Sequence, residues 1–258
     1  MKTAVITGGA GGLGRALARA LLAEGWHVAI LDLPGDELEA VRDLGAEASA
    51  WPCDLTDENA VRAACAGIVA SRPSVDLVIY NAGITQIGIF AEMEMSAHRT
   101  VFAVNYFGAV HVAAELLQAV RQSRGTHLAI SSVAGFAPLH SRSAYSASKH
   151  ALEGFFRTLA SEERPFGVSV HIAAPSFVAT NPGNAQERKG GIARPGSASD
   201  GIDYMEPDAA ARIILDGVRR GRAMIPVGRV ARLAWWINRF APALYVRLME
   251  RNIADTPR

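Results

Sequence analysis

Short, strongly apolar runs recur along the first two thirds of the chain. They occupy residues 2–7 (KTAVIT), 27–32 (HVAILD), 47–51, 75–80 (VDLVIY), 126–131 (THLAIS) and 168–174 (VSVHIAA). Runs of this length predict strands. The segments between them carry helical periodicity, at 15–24, 36–44, from Thr56 onward, 96–122 and 143–163. In 96–122 the residues Val101, Val104, Gly108, Val112, Leu116 and Val120 mark one apolar stripe. Strands separated by helices throughout predict an α/β fold with a parallel, doubly wound sheet.

The rest of the chain follows other patterns. Residues 175–204 are the least regular, and a long loop inside a compact domain is usually functional. This one leaves the carboxyl end of a strand, so 176–205 is expected to be a substrate lid. Glu206-Pro207-Asp208 opens a helix to about Arg220, since proline and acids both suit a helix N-terminus. AMIPV, 223–227, reads as a final strand. The tail, 229–258, is a helical extension that Pro242 divides in two. Its first half has a basic face, with Arg229, Arg232, Trp236 and Arg239 in 3-4-3 spacing. Beside it lies an apolar face of Val230, Leu233, Ala234 and Ile237. Such a helix fits a pocket cover, a subunit contact or an anionic membrane surface. The apolar face is short, which favours the first two. With no internal repeat and no low-complexity linker, residues 1–258 are expected to form a single domain.

Composition narrows the classes. A chain of 258 residues, 50% hydrophobic and 20% charged, can bury a substantial core. A net charge of +1 gives no reason to expect nucleic acid as a partner. Cys53 and Cys65 stand in no metal-like spacing, so no metal is expected. Two cysteines, with no signal peptide before the first strand, suit a reducing, cytoplasmic setting. No run of about eighteen apolar residues predicts a membrane-spanning helix.

The candidate chemistry lies where strands end. TGGAGGLG, with Gly8, Gly12, Leu13 and Gly14, sits between the first strand and the first helix. Glycines let backbone approach a pyrophosphate, and the helix N-terminus supplies partial positive charge. Asp32 ends the second strand twenty residues after Gly12, the place for an acid on the adenosine ribose hydroxyls. That carboxylate repels a 2′-phosphate, and neither Gly11 nor Leu33 offers a cation, so NAD is expected over NADP. Asp54 and Leu55 follow the third strand. Asp54 suits either the adenine amino group or a cap on the helix from Thr56. Asn81-Ala82-Gly83 follows the fourth strand, where small residues let a cofactor cross the strand end. Asn105 lies beside the apolar stripe and needs hydrogen-bond partners there. Tyr145 and Lys149 stand four apart on one helix face, and a neighbouring cation lowers the pKa of a phenol. Ser132, after the fifth strand, is placed to hydrogen-bond a reacting oxygen.

Together these motifs resemble the short-chain dehydrogenases/reductases of the common 250-residue form, over residues 1–225. The glycine loop, Asn81-Ala82-Gly83, Asn105, Ser132 and Tyr145-Ser-Ala-Ser-Lys149 match in order and spacing. The resemblance implies a Rossmann-like fold with a seven-stranded sheet and nicotinamide-dependent oxidoreduction of alcohols or ketones. It implies that Tyr145 carries the hydroxyl proton, that Lys149 lowers the Tyr145 pKa and holds the nicotinamide ribose, and that Ser132 orients the substrate oxygen. It also implies that Asn105 anchors a water linking Lys149 to solvent. PSFVAT, from Pro175 to Thr180, matches the family's run after the sixth strand, so Val178 and Thr180 would bind the carboxamide. Ser176 stands where the family usually has Gly, and Tyr80 where it usually has Asn. A homo-oligomer, most often a tetramer and otherwise a dimer, is implied through the helices 96–122 and 143–163.

Ile84, Ile87, Phe90, Phe136 and Phe177 are the candidate substrate lining, which points to a lipophilic or cyclic secondary alcohol, or its ketone. His140 and Arg142 lie nearby on what reads as a solvated loop. The alternatives are an NADP-dependent ketoreductase, or a nucleotide-sensing regulator without turnover; a sensor has no need of the four residues Asn105, Ser132, Tyr145 and Lys149.

Overall fold

The computed structural model describes residues 1–180, 191–193 and 204–254, with side chains through Arg251. Most of the expected lid, 181–190 and 194–203, lies outside the described residues. In chain order the strands are β1 (Thr3–Thr7), β2 (His27–Asp32), β3 (Ala48–Pro52), β4 (Leu77–Tyr80), β5 (Thr85–Gln86), β6 (Thr126–Ile130), β7 (Ser169–Pro175), β8 (Ile192–Ala193) and β9 (Met224–Val227). Seven of them form one parallel sheet in the order β3-β2-β1-β4-β6-β7-β9. The two-residue strands β5 and β8 pair antiparallel apart from it. The strand order reverses between β1 and β4, the point where such sheets bind ligands at their carboxyl ends.

The strands are apolar throughout because both faces are covered. Side chains alternate between faces along a strand. Ala4 and Ile6 of β1 pack with α1 (Gly12–Ala23) and α7 (Pro207–Arg219). Val5, between them, points to the other face, towards α3 (Glu58–Ser71), α5 (Gly108–Ser123) and α6 (Ser143–Glu163). Near the β2–β3 edge, α2 (Asp36–Glu39) runs into a 3₁₀ turn, Ala40–Leu44.

The helix expected at 96–122 is one helical run, Met95–Ser123, but it is not uniform. α4 (Met95–Phe102) and α5 are joined by a π-helical turn, Ala103–Phe107. In this turn Asn105 is buried, while Val104 faces a cavity at the carboxyl ends of the strands. This run is 29 residues long and its most apolar stretch has a mean hydropathy of 1.4, enough by length and composition to cross a membrane, although it contains no unbroken apolar run of that length. Here its stripe of Val112, Leu116 and Val120 is fully buried in the core. The tail divides at Pro242 as expected, into α8 (Arg229–Phe240) and α9 (Pro242–Ala254).

Tyr80, the departure from the family pattern, is buried within the sheet. Its hydroxyl is hydrogen-bonded to Nδ1 of His127 on β6 at 2.7 Å, and its ring packs on Phe156. Burial pushes the His127 imidazole down to about 4. The folded state therefore prefers neutral His127. The stability this contributes is complete above the ordinary value of about 6.5 and is lost as pH falls towards about 4, with a full size on the order of 3 kcal/mol. Urea unfolding at pH 7 and pH 5 is expected to show that loss. The double variant Tyr80→Phe/His127→Leu, which removes both partners, is expected to flatten it. An unchanged pH dependence in the variant would exclude His127 as its source.

Candidate active site

The carboxyl ends of the central strands open onto a cavity of about 560 Å³. Its floor begins at β1. Gly8 and Gly12 hold positive φ, 63° and 52°, which only glycine adopts without strain. Thr7 Oγ1 accepts hydrogen bonds from the backbone N–H groups of Asn81 (3.0 Å) and Ala82 (3.1 Å). The Asn81 amide donates back to the carbonyls of Gly8 (2.8 Å) and Thr7 (3.2 Å). The glycine loop is thus bolted to the end of β4. α1 starts at Gly12 rather than Arg15, so its unpaired N–H groups belong to the loop itself. A Cβ on Gly12 would come within 3.0 Å of Thr180 Cβ, so the β7 segment closes over the loop. This is a cradle without side chains at a helix N-terminus, and it fits a dinucleotide pyrophosphate. Every residue expected to hold the cofactor lines the cavity except Gly14, which supports the loop from behind.

At one end of the cavity Asp32 accepts the backbone N–H groups of Ala10 (3.0 Å) and Leu33 (2.9 Å). Glu37, which the sequence reading did not single out, also lines this end, and its carboxylate would lie 3.2 Å from a Cβ on Gly11. Asp54 accepts from Thr56 N (2.9 Å) and Oγ1 (2.8 Å) while facing the cavity. It does not cap the next helix. That helix starts at Glu58, and Asp57 caps it by accepting from the N–H groups of Asn59 and Ala60.

The other end gathers Ser132, Tyr145 and Lys149. Ser132 follows β6 and its Oγ accepts from Ala134 N at 3.2 Å. The Ser132 and Tyr145 side chains both line this end, with the Ser132 hydroxyl near enough to the phenol to influence its titration. Lys149, one turn after Tyr145 on α6, donates to the Ile130 carbonyl at 2.9 Å, with Nζ 5.8 Å from the Tyr145 ring centre. The expected lowering of the phenol pKa by Lys149 is not what this geometry produces. Burial raises the Tyr145 pKa, and only partial relief comes from the Ser132 hydroxyl and the Arg142 charge. Burial also lowers Lys149 to about 8, opposed by the charge of Glu153. The reason is positional: i,i+4 spacing set the two on one face, while the β6 carbonyl took the ammonium.

Asn105 makes three hydrogen bonds. Oδ1 accepts from Ile84 N (2.8 Å), and Nδ2 donates to Ile84 O (2.9 Å) and Ser148 Oγ (3.0 Å). A Cβ on Gly83 would lie 3.2 Å from Asn105 Oδ1 and 3.5 Å from Lys149 Nζ, so only glycine leaves room between them. Behind Lys149 lies a buried acid that sequence spacing could have flagged, four residues along the same helix. Glu153 accepts from Ser131 Oγ (2.8 Å) and pairs with Arg157 (2.8 Å), tying α6 to the end of β6.

Of the expected substrate residues only Ile84 lines the cavity; Ile192 and Ala193 of β8 join it, brought there by pairing with Thr85 and Gln86. Phe90 is exposed, and Phe177 packs on Tyr204. Phe136 packs with Val133 and Ala137 against Ala231 and Ala234 of α8. No residue of α8 or α9 lines the cavity, so the described part of the tail is not its cover.

Residues 2–190 match the family model described as short chain dehydrogenase. The chain is 32% identical over 261 residues to "Dehydrogenase/reductase SDR family member 7B" of Xenopus laevis, covering 95% of this chain and 80% of that protein. It is 33% identical over 264 residues to the Bos taurus protein of the same name, covering 95% and 79%. Among solved structures, a short-chain dehydrogenase from Streptomyces avermitilis superposes with TM-score 0.82 and 26% identity, over 100% of this chain and 99% of that one. A short chain dehydrogenase from Burkholderia cenocepacia, solved in complex with NADP, superposes with TM-score 0.81 and 23% identity, over 99% and 98%. With its 3-2-1-4 strand order around the glycine cradle and these matches, the chain belongs to the short-chain dehydrogenase/reductase family, oxidoreductases with a nicotinamide-dinucleotide-binding fold.

Proposed function

We propose that the protein interconverts an apolar secondary alcohol and its ketone, with NAD as the redox partner and Tyr145 as the proton carrier. The observation that carries this reading is the convergence of Ser132, Tyr145 and buried Lys149 on one end of the cavity, away from Asp32. Bound nicotinamide supplies the hydride acceptor or donor. In oxidation Tyr145 takes the proton from the substrate hydroxyl as the phenolate and becomes the phenol, and in reduction the phenol gives that proton to the ketone oxygen. Ser132 Oγ orients the substrate oxygen for that transfer. Lys149, fixed on the Ile130 carbonyl, places positive charge at the same end of the cavity, where it would hold the nicotinamide ribose. Asn105 is a positioning residue that fixes the Ile84 backbone and, across Gly83, the space beside Lys149. Ile84, Ile192 and Ala193 favour an apolar substrate body over a sugar or small acid.

The preference for NAD rests on two carboxylates, Asp32 and Glu37, at the adenosine end. A phosphate charge about 4 Å from one carboxylate costs about 1 kcal/mol in a wet site and about 4 kcal/mol in a half-dry one. NAD is therefore expected to exceed NADP in kcat/KM by about tenfold or more, each tenfold being about 1.4 kcal/mol. Asp32→Ala with Leu33→Arg is expected to move the preference towards NADP. Equal kcat/KM for the two cofactors in the unaltered protein would sink the assignment and favour the NADP-dependent ketoreductase.

A further inference from the structure

The outer face of the C-terminal helices carries two features that the cavity does not use. The first is apolar. Leu233, Trp236 and Phe240, spaced 3 and 4 apart on α8, are 62%, 55% and 72% exposed, and Leu244 and Leu248 continue the exposed series on α9. The Trp236 and Phe240 rings are stacked, with centres 5.6 Å apart and planes within 7°, so these aromatics form a preassembled plate rather than separate side chains. The opposite face of α8 is already satisfied. Ala231 and Ala234 pack on Val133, Phe136 and Ala137, and Asn238 Nδ2 donates to the Phe136 carbonyl at 2.6 Å. The helix is therefore anchored by one side and, among the described residues, unpartnered on the other.

The second feature is charge. Residues 229–251 hold five arginines (229, 232, 239, 247 and 251) against the single acid Glu250, a net charge of +4. The whole chain carries only +1, so the remainder is net acidic at −3. All five arginines are exposed, and Arg239 lies over the Trp235 ring at 5.3 Å. Basic charge is thus concentrated beside this outward-facing series of aromatic and aliphatic side chains.

We propose that α8 and α9 form a docking surface for an anionic phospholipid bilayer. An amphipathic helix with tryptophan at the boundary and arginines at its edges lies in the plane of such a surface, with its apolar side among the acyl chains and its cations at the headgroups. A second copy of the chain fits less well. A two-fold contact sets a patch against itself, and would bring two sets of five arginines together. The surface is independent of the dehydrogenase chemistry, but α8 rests on the segment directly after Ser132, so docking sets the membrane beside the supports of the active site.

The full-length protein tests this by co-sedimentation with vesicles of phosphatidylcholine alone or mixed with phosphatidylserine. The expected result is binding to the mixed vesicles at physiological salt, weaker at high salt, with blue-shifted tryptophan emission. Leu233→Ser/Trp236→Ser/Phe240→Ser is expected to lower partitioning about tenfold or more without changing the melting temperature or turnover of a water-soluble alcohol. A second variant, Arg239→Glu/Arg247→Glu, is expected to remove the preference for phosphatidylserine. No binding of the unaltered protein to mixed vesicles overturns the proposal, as does full binding by the triple variant. Light scattering covers the competing occupant: an oligomer that the triple variant dissociates, with no vesicle binding by either protein, assigns the face to a contact between copies and also overturns it.

Discussion

Replacing Tyr145 by phenylalanine is expected to lower turnover by about 10²- to 10⁴-fold, the range ascribed to one positioned proton-transfer group, while dinucleotide binding persists. The substitution removes one oxygen. The ring stays in its buried place, and the Lys149–Ile130 hydrogen bond is untouched, so the cofactor cavity keeps its shape. What is lost is the atom that carries the substrate proton. Steady-state kinetics with an alcohol, alongside a fluorescence titration with the dinucleotide, separates the two effects. Near-normal turnover in Tyr145→Phe would show that another group carries the proton. Loss of dinucleotide binding along with turnover would mean that the phenol holds the cavity together rather than doing chemistry.

Gly14→Ala is expected to abolish dinucleotide binding and to lower stability by about 1–3 kcal/mol, the scale of overpacking in a tight interior. The added methyl would overlap the Gly8 carbonyl oxygen and lie 2.7 Å from Asn81 Nδ2. Those two atoms are already hydrogen-bonded to each other, and both are held, the first by backbone and the second by its bonds to β1. Neither can withdraw without unfastening the glycine loop from β4. The contrast is Gly154→Ala, in the middle of α6 with nothing within 4 Å of the added methyl. There the helix is expected to gain about 0.5–1 kcal/mol, because alanine loses less backbone freedom on folding. Thermal melts and binding titrations of both variants provide the check. Normal cofactor affinity in Gly14→Ala would mean that the loop is more compliant than its packing implies.

The elements and the chemical motifs were legible because each is encoded locally. The apolar runs became the strands of the sheet, including the last, Met224–Val227, and Pro242 broke the tail as its missing N–H requires. Tyr145 and Lys149 were readable because helix geometry alone puts i and i+4 on one face. The helix start at Gly12 was less legible, since glycine disfavours helix and looks like turn; the unpaired N–H groups wanted by a phosphate override that preference. The π-helical turn at Ala103–Phe107 gave no signal, because the stripe on either side continues with ordinary spacing.

Residues 1–175 spell out alternating strands and helices, a glycine turn between β1 and α1, and acids or hydroxyls at successive strand ends. Hydrophobic period and turn chemistry suffice for these, since each depends on neighbours within a few positions. Contacts made across the fold depended on which strand lies beside which, and that order is not written in local pattern. Pairing of β4 with β6 gave buried Tyr80 its partner in His127. The carbonyl at the end of β6 captured Lys149 and left the Tyr145 phenol raised by burial rather than lowered by a neighbouring ammonium. The pairing of β5 with β8, more than a hundred residues apart, made Ile192 and Ala193 cavity wall, while Phe136 went to the packing beneath α8. Charge and ring positions along α8 were visible in the chain, but which side of that helix would stay open was set by where Ala231 and Ala234 found small enough neighbours to pack against.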